Sequence, residues 1–182
     1  MDDKKNRLPV LIATTLSSFL TPLALSTVNV ALPSIGKEFS IDAIVLSWIA
    51  TAYILSAAIF LLPFGRLADM LGRKKVFIYG TFVFTVSSFL MGVSGGVETL
   101  IGYRVLQGIG GAMIFGTGIA ILISVFPLGE RGKVLGINVA AVYLGLSVGP
   151  FIGGLLTQHL GWRSTFLLNE PFGIIIMVFS IW

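Results

Sequence analysis

The 182-residue chain contains no cysteine and a single histidine, His159. The first absence excludes disulfide frameworks, zinc–thiolate sites, iron–sulfur ligation and thiol catalysis. The second excludes the paired-histidine zinc motifs. Charge is scarce too: 11% of the residues are Asp, Glu, Lys or Arg, where a soluble domain carries roughly a quarter. Too few charges remain to clothe a globular surface in water. No G-x-G-x-x-G, Walker A or G-x-S-x-G pattern occurs, and Gly108-Ile109-Gly110 is followed by Met113 where a dinucleotide fingerprint needs glycine. Neither an enzyme nor a cofactor is expected.

What the chain has is apolar sequence, 55% of its residues, with a mean hydropathy of +0.98. Six stretches run approximately over Leu8–Leu32, Ile44–Phe64, Val76–Val93, Leu100–Phe126, Val134–Leu156 and Thr165–Trp182. A bilayer core about 30 Å thick needs ~20 residues of helix, which the first five reach or nearly reach. The third is short unless its ends extend by a turn. The sixth has 18 residues before the chain stops, with no basic or polar anchor behind it. The sequence therefore reads as cut off inside a helix. Lys4, Lys5 and Arg7 precede the first stretch, as they would a secretory signal. That stretch runs well past the about 15 apolar residues of a signal core and ends Ala31-Leu32-Pro33-Ser34, so it is read as a span. The expected fold is an all-α transmembrane bundle of six helices.

Orientation follows from the basic residues. With the N-terminus inside, Lys4, Lys5, Arg7, Arg66, Arg73, Lys74, Lys75, Arg131 and Lys133 all fall on the cytoplasmic side. Only Lys37 and Arg163 fall outside, and Arg104 lies within the fourth stretch. Nine against two is a strong positive-inside bias. Topology thus accounts for the net charge of +4, and no nucleic-acid partner is needed. The chain is expected to be multi-pass in the cell membrane, with its N-terminus cytoplasmic and the lipid bilayer as its surroundings.

An internal repeat is also legible. Gly65, Leu67, Leu71, Gly72, Lys74 and Phe77 recur, 89 positions on, as Gly154, Leu156, Leu160, Gly161, Arg163 and Phe166. Both segments link the second and third spans of a three-span unit. Three being odd, the second unit must sit upside down in the membrane. The expected organisation of residues 1–182 is one six-span bundle, with repeat one over about 8–93 and repeat two over about 97–182.

Three segments carry functional signal. In Gly65-Arg66-Leu67-Ala68-Asp69-Met70-Leu71-Gly72-Arg73-Lys74-Lys75, the glycines permit a tight turn. Asp69 lies near the start of the third span, where a helix dipole favours an anion and Arg73 is placed to pair with it. In the fourth stretch, Gly108, Ala112 and Gly116 share one face for close packing. Arg104 precedes them near the outer end, where it either snorkels to the surface or enters a polar pocket; Gln107, one turn on, favours the pocket. In the fifth stretch Gly145, Gly149 and Gly153 share a face, Gly154 follows, and Pro150 leaves the carbonyl of Leu146 without its helical donor, so a kink is expected. Asn29, Asn138 and Tyr143 suit either a cavity lining or hydrogen bonds between helices. Trp48, Tyr103 and Trp162 lie where aromatic rings anchor to membrane interfaces.

These three segments, in this order and placement, resemble motifs A, B and C of the major facilitator superfamily. The proline–glycine motif of the fifth span resembles that of its drug:proton antiporters. Thr27-Val28-Asn29-Val30-Ala31-Leu32-Pro33, and Trp162-Arg163 with Phe166, Asn169, Pro171 and Gly173, are similar to the fourteen-span branch. The resemblance implies the N-terminal six-helix half of an efflux transporter. Such a transporter exchanges protons inward for amphipathic small molecules outward by alternating access. It implies a cytoplasmic gating loop at Gly65, Asp69, Gly72, Arg73 and Lys74. It assigns proton coupling or the central cavity to Arg104 and Gln107, with Asn29 added, and the antiporter helix to Gly145, Gly149, Pro150, Gly153 and Gly154. Two positions depart from the pattern: Met70 stands where motif A usually has a basic residue, and Ala24 where the branch usually has a membrane-embedded acid. Glu170 is either a substitute acid or an interfacial glutamate in contact with water. Such a half calls for partners: a missing C-terminal half, or a second copy forming a homodimeric half-transporter. The alternative is a non-transporting, regulatory membrane protein.

Overall fold

The computed structural model describes residues 3–181, with side chains from Arg7 onward. Trp182, the end of the expected sixth span, and the side chains of Lys4 and Lys5 lie outside the described residues. The elements are α1 (Asp3–Phe39), α2 (Ala43–Leu71), α3 (Arg73–Gly92), α4 (Val97–Val125), α5 (Leu128–Leu160), α6 (Arg163–Leu167) and α7 (Asn169–Ser180), with no strand among the described residues. The first five are long and apolar enough to cross a membrane. The third, short by sequence, gains Arg73–Lys75 and reaches 20 residues, about 30 Å of helix.

Two expectations need correction. The sixth span is two helices in series, α6 and α7, separated at Leu168. Pro171 supplies the reason: it has no N–H for the carbonyl of Leu167, and its ring crowds that turn. The Leu168 amide closes α6 by donating to the Ser164 carbonyl at 3.0 Å. The second correction concerns the expected loop from Gly65 to Lys75, which is almost entirely helix. α2 continues through Asp69 to Leu71, and Gly72 alone separates it from α3. Gly72 turns the chain at φ +98°, and Gly161, between α5 and α6, does the same at φ +82°. Neither glycine is crowded; the left-handed backbone is what asks for glycine here.

Helix packing follows the small residues. Lipid is as apolar as leucine, so close backbone contact holds such bundles together. α1 packs most extensively on α5, and α4 on both α2 and α3. A Cβ on Gly108 would fall 2.5 Å from the Tyr53 carbonyl oxygen of α2, and one on Gly110 would fall 2.7 Å from the Phe84 amide of α3. α7 lies on α1 and α3. Leu20, Ala24, Tyr53, Phe84, Ile114 and Ile176 fill the centre, and Ile35, Ile49, Met91, Trp162 and Phe166 fill one end.

Polar contacts define the two ends. At the basic end Arg7 pairs with Glu130 at 3.4 Å, and Lys74 Nζ donates to the Ile181 carbonyl at 3.4 Å. At the far end Arg163 Nη2 donates to the Ser94 carbonyl at 3.1 Å. α2 and α5 are the least enclosed of the five long helices; Ile54, Leu55 and Leu62 on one and Tyr143, Leu144 and Phe151 on the other stay exposed.

Candidate functional site

Arg104 is fully buried, 0% exposed, so it does not snorkel. α4 begins at Val97, which puts the residue two turns inside the helix. Its Nε donates to the Ile49 carbonyl of α2 at 2.9 Å, and its Nη1 to Gln107 Oε1 at 2.5 Å. The guanidinium also lies 5.1 Å from the Tyr53 ring centroid and 5.8 Å from that of Phe166. Gln107 Nε2 in turn donates to Ser88 Oγ on α3 at 2.7 Å, and Asn169 Nδ2 on α7 reaches the same oxygen at 3.3 Å. Arg104 thus stands at the head of a polar chain running from α2 through α4 and α3 to α7. Arg104 Nη2 and Asn169 Oδ1 are buried without a partner. No carboxylate pairs with Arg104 among the described residues. At a membrane helix centre an arginine costs ~2.5–3.5 kcal/mol on the insertion scale, an upper bound two turns from the helix start, and each desolvated ring contact offsets about 2 kcal/mol.

The structure joins Arg104 to Gln107 and leaves Asn29 exposed on α1, outside that network. Ala24, where the branch usually has an acid, is buried among the apolar residues of the core. Glu170 is half-buried in the first turn of α7, and its Oε1 has no partner.

The segment from Gly65 to Lys74 sits at the basic end. Asp69 lies in the last turn of α2, where the helix dipole disfavours an anion. Arg73 compensates, with Nε at 3.1 Å and Nη2 at 3.0 Å from Asp69 Oδ1. Its Nη1 reaches the Ala120 carbonyl of α4 at 3.4 Å. Gly65, Arg66 and Asp69 face Phe115 and Gly116 across an open cleft of about 870 Å³.

On α5, Gly145, Gly149 and Gly153 face α1. A Cβ on Gly145 would collide with the Phe19 carbonyl, and one on Gly153 would fall 2.8 Å from Thr27 Cα. Gly154 meets only Val30, at 4.0 Å, so close approach does not require it to be glycine. Pro150 is exposed, and α5 passes through it without a break. Asn138 combines its two expected roles. It bonds Ser18 at 2.5 Å and Thr15 at 3.2 Å, and it borders a cavity of about 70 Å³ with Phe115, Ile119 and Val142.

The profile described as the Major Facilitator Superfamily matches residues 14–182. The chain belongs to that superfamily. Its superfamily relatives include the riboflavin transporter RibZ of Clostridioides difficile, 38% identical across 97% of this chain and 39% of the relative. The multidrug resistance protein Stp of Mycobacterium tuberculosis is 34% identical across 97% of this chain and 33% of its own length. The tetracenomycin C resistance and export protein of Streptomyces glaucescens is 34% identical across 93% and 32%. The chain therefore spans 28% to 39% of the length of these and similar curated relatives.

Within this superfamily fold, sequence reasoning missed three participants. Ser88 is one of many serines in apolar sequence, and nothing local marks it as the hub between Gln107 and Asn169. Tyr53 carries no motif. Trp162, read as a membrane anchor, is buried and donates from Nε1 to Glu38 Oε2 at 2.6 Å. The available signal was an acid, Glu38, after the first apolar stretch, with Trp162-Arg163 at the same predicted end.

Proposed function

We propose that this chain forms the N-terminal six-helix half of a proton-coupled efflux transporter, which moves amphipathic small molecules out of the cell by alternating access. The observation that carries this reading is the glycine face of α5 seated directly on the backbone of α1, beside Pro150. Bare backbone along most of that contact lets the two helices rock against each other, with Ser26 and Asn138 as side chains that bond across it. The drug-resistance and export names of two relatives support the direction of transport, and the riboflavin transporter widens the substrate class to polar aromatic molecules. Arg104 and Gln107 serve proton coupling, with Asn29 on the cavity wall; Asp69 and Arg73 serve as the gate at the basic end.

In this reading the basic end is cytoplasmic, the membrane is the cell membrane, and residues of about 8–93 and 97–182 form two inverted units. Support for the units comes from Gly72 and Gly161, repeat-equivalent and both at positive φ. Lys74 bonds a carbonyl at the end of α7, and its counterpart Arg163 bonds one just past the end of α3. The exposed apolar faces of α2 and α5 accept a second six-helix body, either a C-terminal half or a second copy.

The test is proton-driven uptake of an amphipathic dye into everted vesicles carrying the complete protein. Arg104→Ala and Asp69→Asn each abolish uptake at unchanged membrane abundance. Full uptake in both variants overturns the site assignment.

A further inference from the structure

Pro150 removes one donor from α5, and the carbonyl left without a helical partner is that of Leu146, four residues back. The structure supplies a donor from another helix: Ser26 Oγ of α1 donates to the Leu146 carbonyl at 3.1 Å. The seat for this hydroxyl is cut by Gly149. A Cβ there would fall 2.5 Å from Ser26 Cβ and 2.7 Å from Ser26 Oγ. Two features of the antiporter helix thus converge on one serine: the proline frees the carbonyl, and the glycine admits the side chain that fills the gap. Freed carbonyls in membrane helices persist only where something re-satisfies them, so the contact is more than incidental packing.

We propose that Ser26 is a positioning residue, a hydroxyl latch that closes the proline gap of α5 from α1 and controls how readily α5 bends away from α1 there. Its functional part, control of turnover, rests on the transport reading above. The latch itself does not.

The test is a double-mutant cycle in the full protein in nanodiscs, read by amide hydrogen exchange over Gly149–Gly154. Ser26→Ala raises exchange about threefold to tenfold, the range for one net hydrogen bond, and Ser26→Thr keeps the wild-type rate. Pro150→Ala restores an N–H to Leu146, and position 150 is exposed, so the methyl group fits. In that background Ser26→Ala changes nothing. No effect of Ser26→Ala, or the same effect in both backgrounds, overturns the latch. Transport is read separately on the same variants: Ser26→Ala alters kcat with KM unchanged, and a KM shift alone overturns the positioning role. If the unmodified protein moves no substrate, the transport reading fails, while the exchange cycle still decides the latch.

Discussion

The bundle makes the same turn twice and secures it in two different ways. At the basic end α2 passes into α3 through Gly72, and at the far end α5 passes into α6 through Gly161, with matching sequence around both. The Gly72 junction is held mainly by its own residues. Asp69 and Arg73, four positions apart and both largely exposed, pair at 3.0 Å. Arg73 also reaches the Ala120 carbonyl and Lys74 the Ile181 carbonyl, each at 3.4 Å. The Gly161 junction is tied across the chain. Glu38, at the end of α1, accepts from Trp162 at 2.6 Å and from Arg163 at 2.8 Å. Arg163 lies 4.2 Å from the Trp162 ring and also caps Ser94. A shared backbone solution therefore carries unequal tertiary commitment. The far end is tied through Glu38, Trp162, Arg163 and Ser94 to the ends of three helices, whereas the Asp69–Arg73 pair lies within one turn of chain.

The sharpest way to break this contrast is to remove the central member of each junction. Trp162 is 3% exposed and sits edge-on to Phe39 and Phe166, with ring centroids 5.8 and 6.0 Å away. Truncating a buried aromatic of this kind costs about 3 kcal/mol or more, so Trp162→Ala lowers unfolding stability in detergent by that order. Arg73→Ala removes an exposed i,i+4 pair worth under about 1 kcal/mol. Equal losses in reversible unfolding would mean that the two junctions are not secured differently.

The part of this contrast visible in the sequence was the local part. Apolar runs that reach or nearly reach a bilayer crossing announced α1 to α5, and the spacing of Gly145, Gly149 and Gly153 announced a close-packed face, because both are properties of neighbouring residues. Charge bias along the chain set the basic end apart for the same reason. The length of the Gly72 turn was misjudged, since basic and acidic residues read as loop while a helix extending beyond the bilayer carries them without strain. Pro171 was present as a cause for the break at Leu168 but was read only as part of a family pattern, and the outcome depended on whether α6 and α7 each found a surface to pack on. Glu38 with Trp162, and Gln107 with Ser88, are pairings across 124 and 19 residues. No periodicity records them, so the far clamp and the Arg104 network became visible only in three dimensions.

A smaller effect sharpens what the two turns share. Gly72 and Gly161 have open space where a Cβ would go, so alanine meets only the strain of the positive-φ backbone, at roughly 1–3 kcal/mol. Gly72→Ala and Gly161→Ala should therefore cost the same in unfolding experiments. A clearly larger penalty at Gly161 would show that the far clamp prevents the turn from relaxing, and the difference would measure the commitment of that end directly.

The smallest effect is acid sensitivity at the far end. Glu38 lies six residues beyond the apolar stretch that ends at Leu32. The Trp162 indole N–H, and then the Arg163 guanidinium, hold its carboxyl below the ordinary value of 4.5. A carboxyl whose folded value is depressed binds fewer protons folded than unfolded. Its stabilisation is therefore complete above pH of about 4.5 and is lost as pH falls through the lower folded value. The group is exposed enough that solvent screens much of the effect, so the readout must be local. Amide exchange at Ser164–Leu167 should quicken as pH falls below that window, after correction for the intrinsic pH dependence of exchange. Glu38→Gln removes the response, and Trp162→Phe, which deletes the larger cause, weakens it more than Arg163→Lys does. An acid response that persists unchanged in Glu38→Gln would mean that Glu38 is not its source.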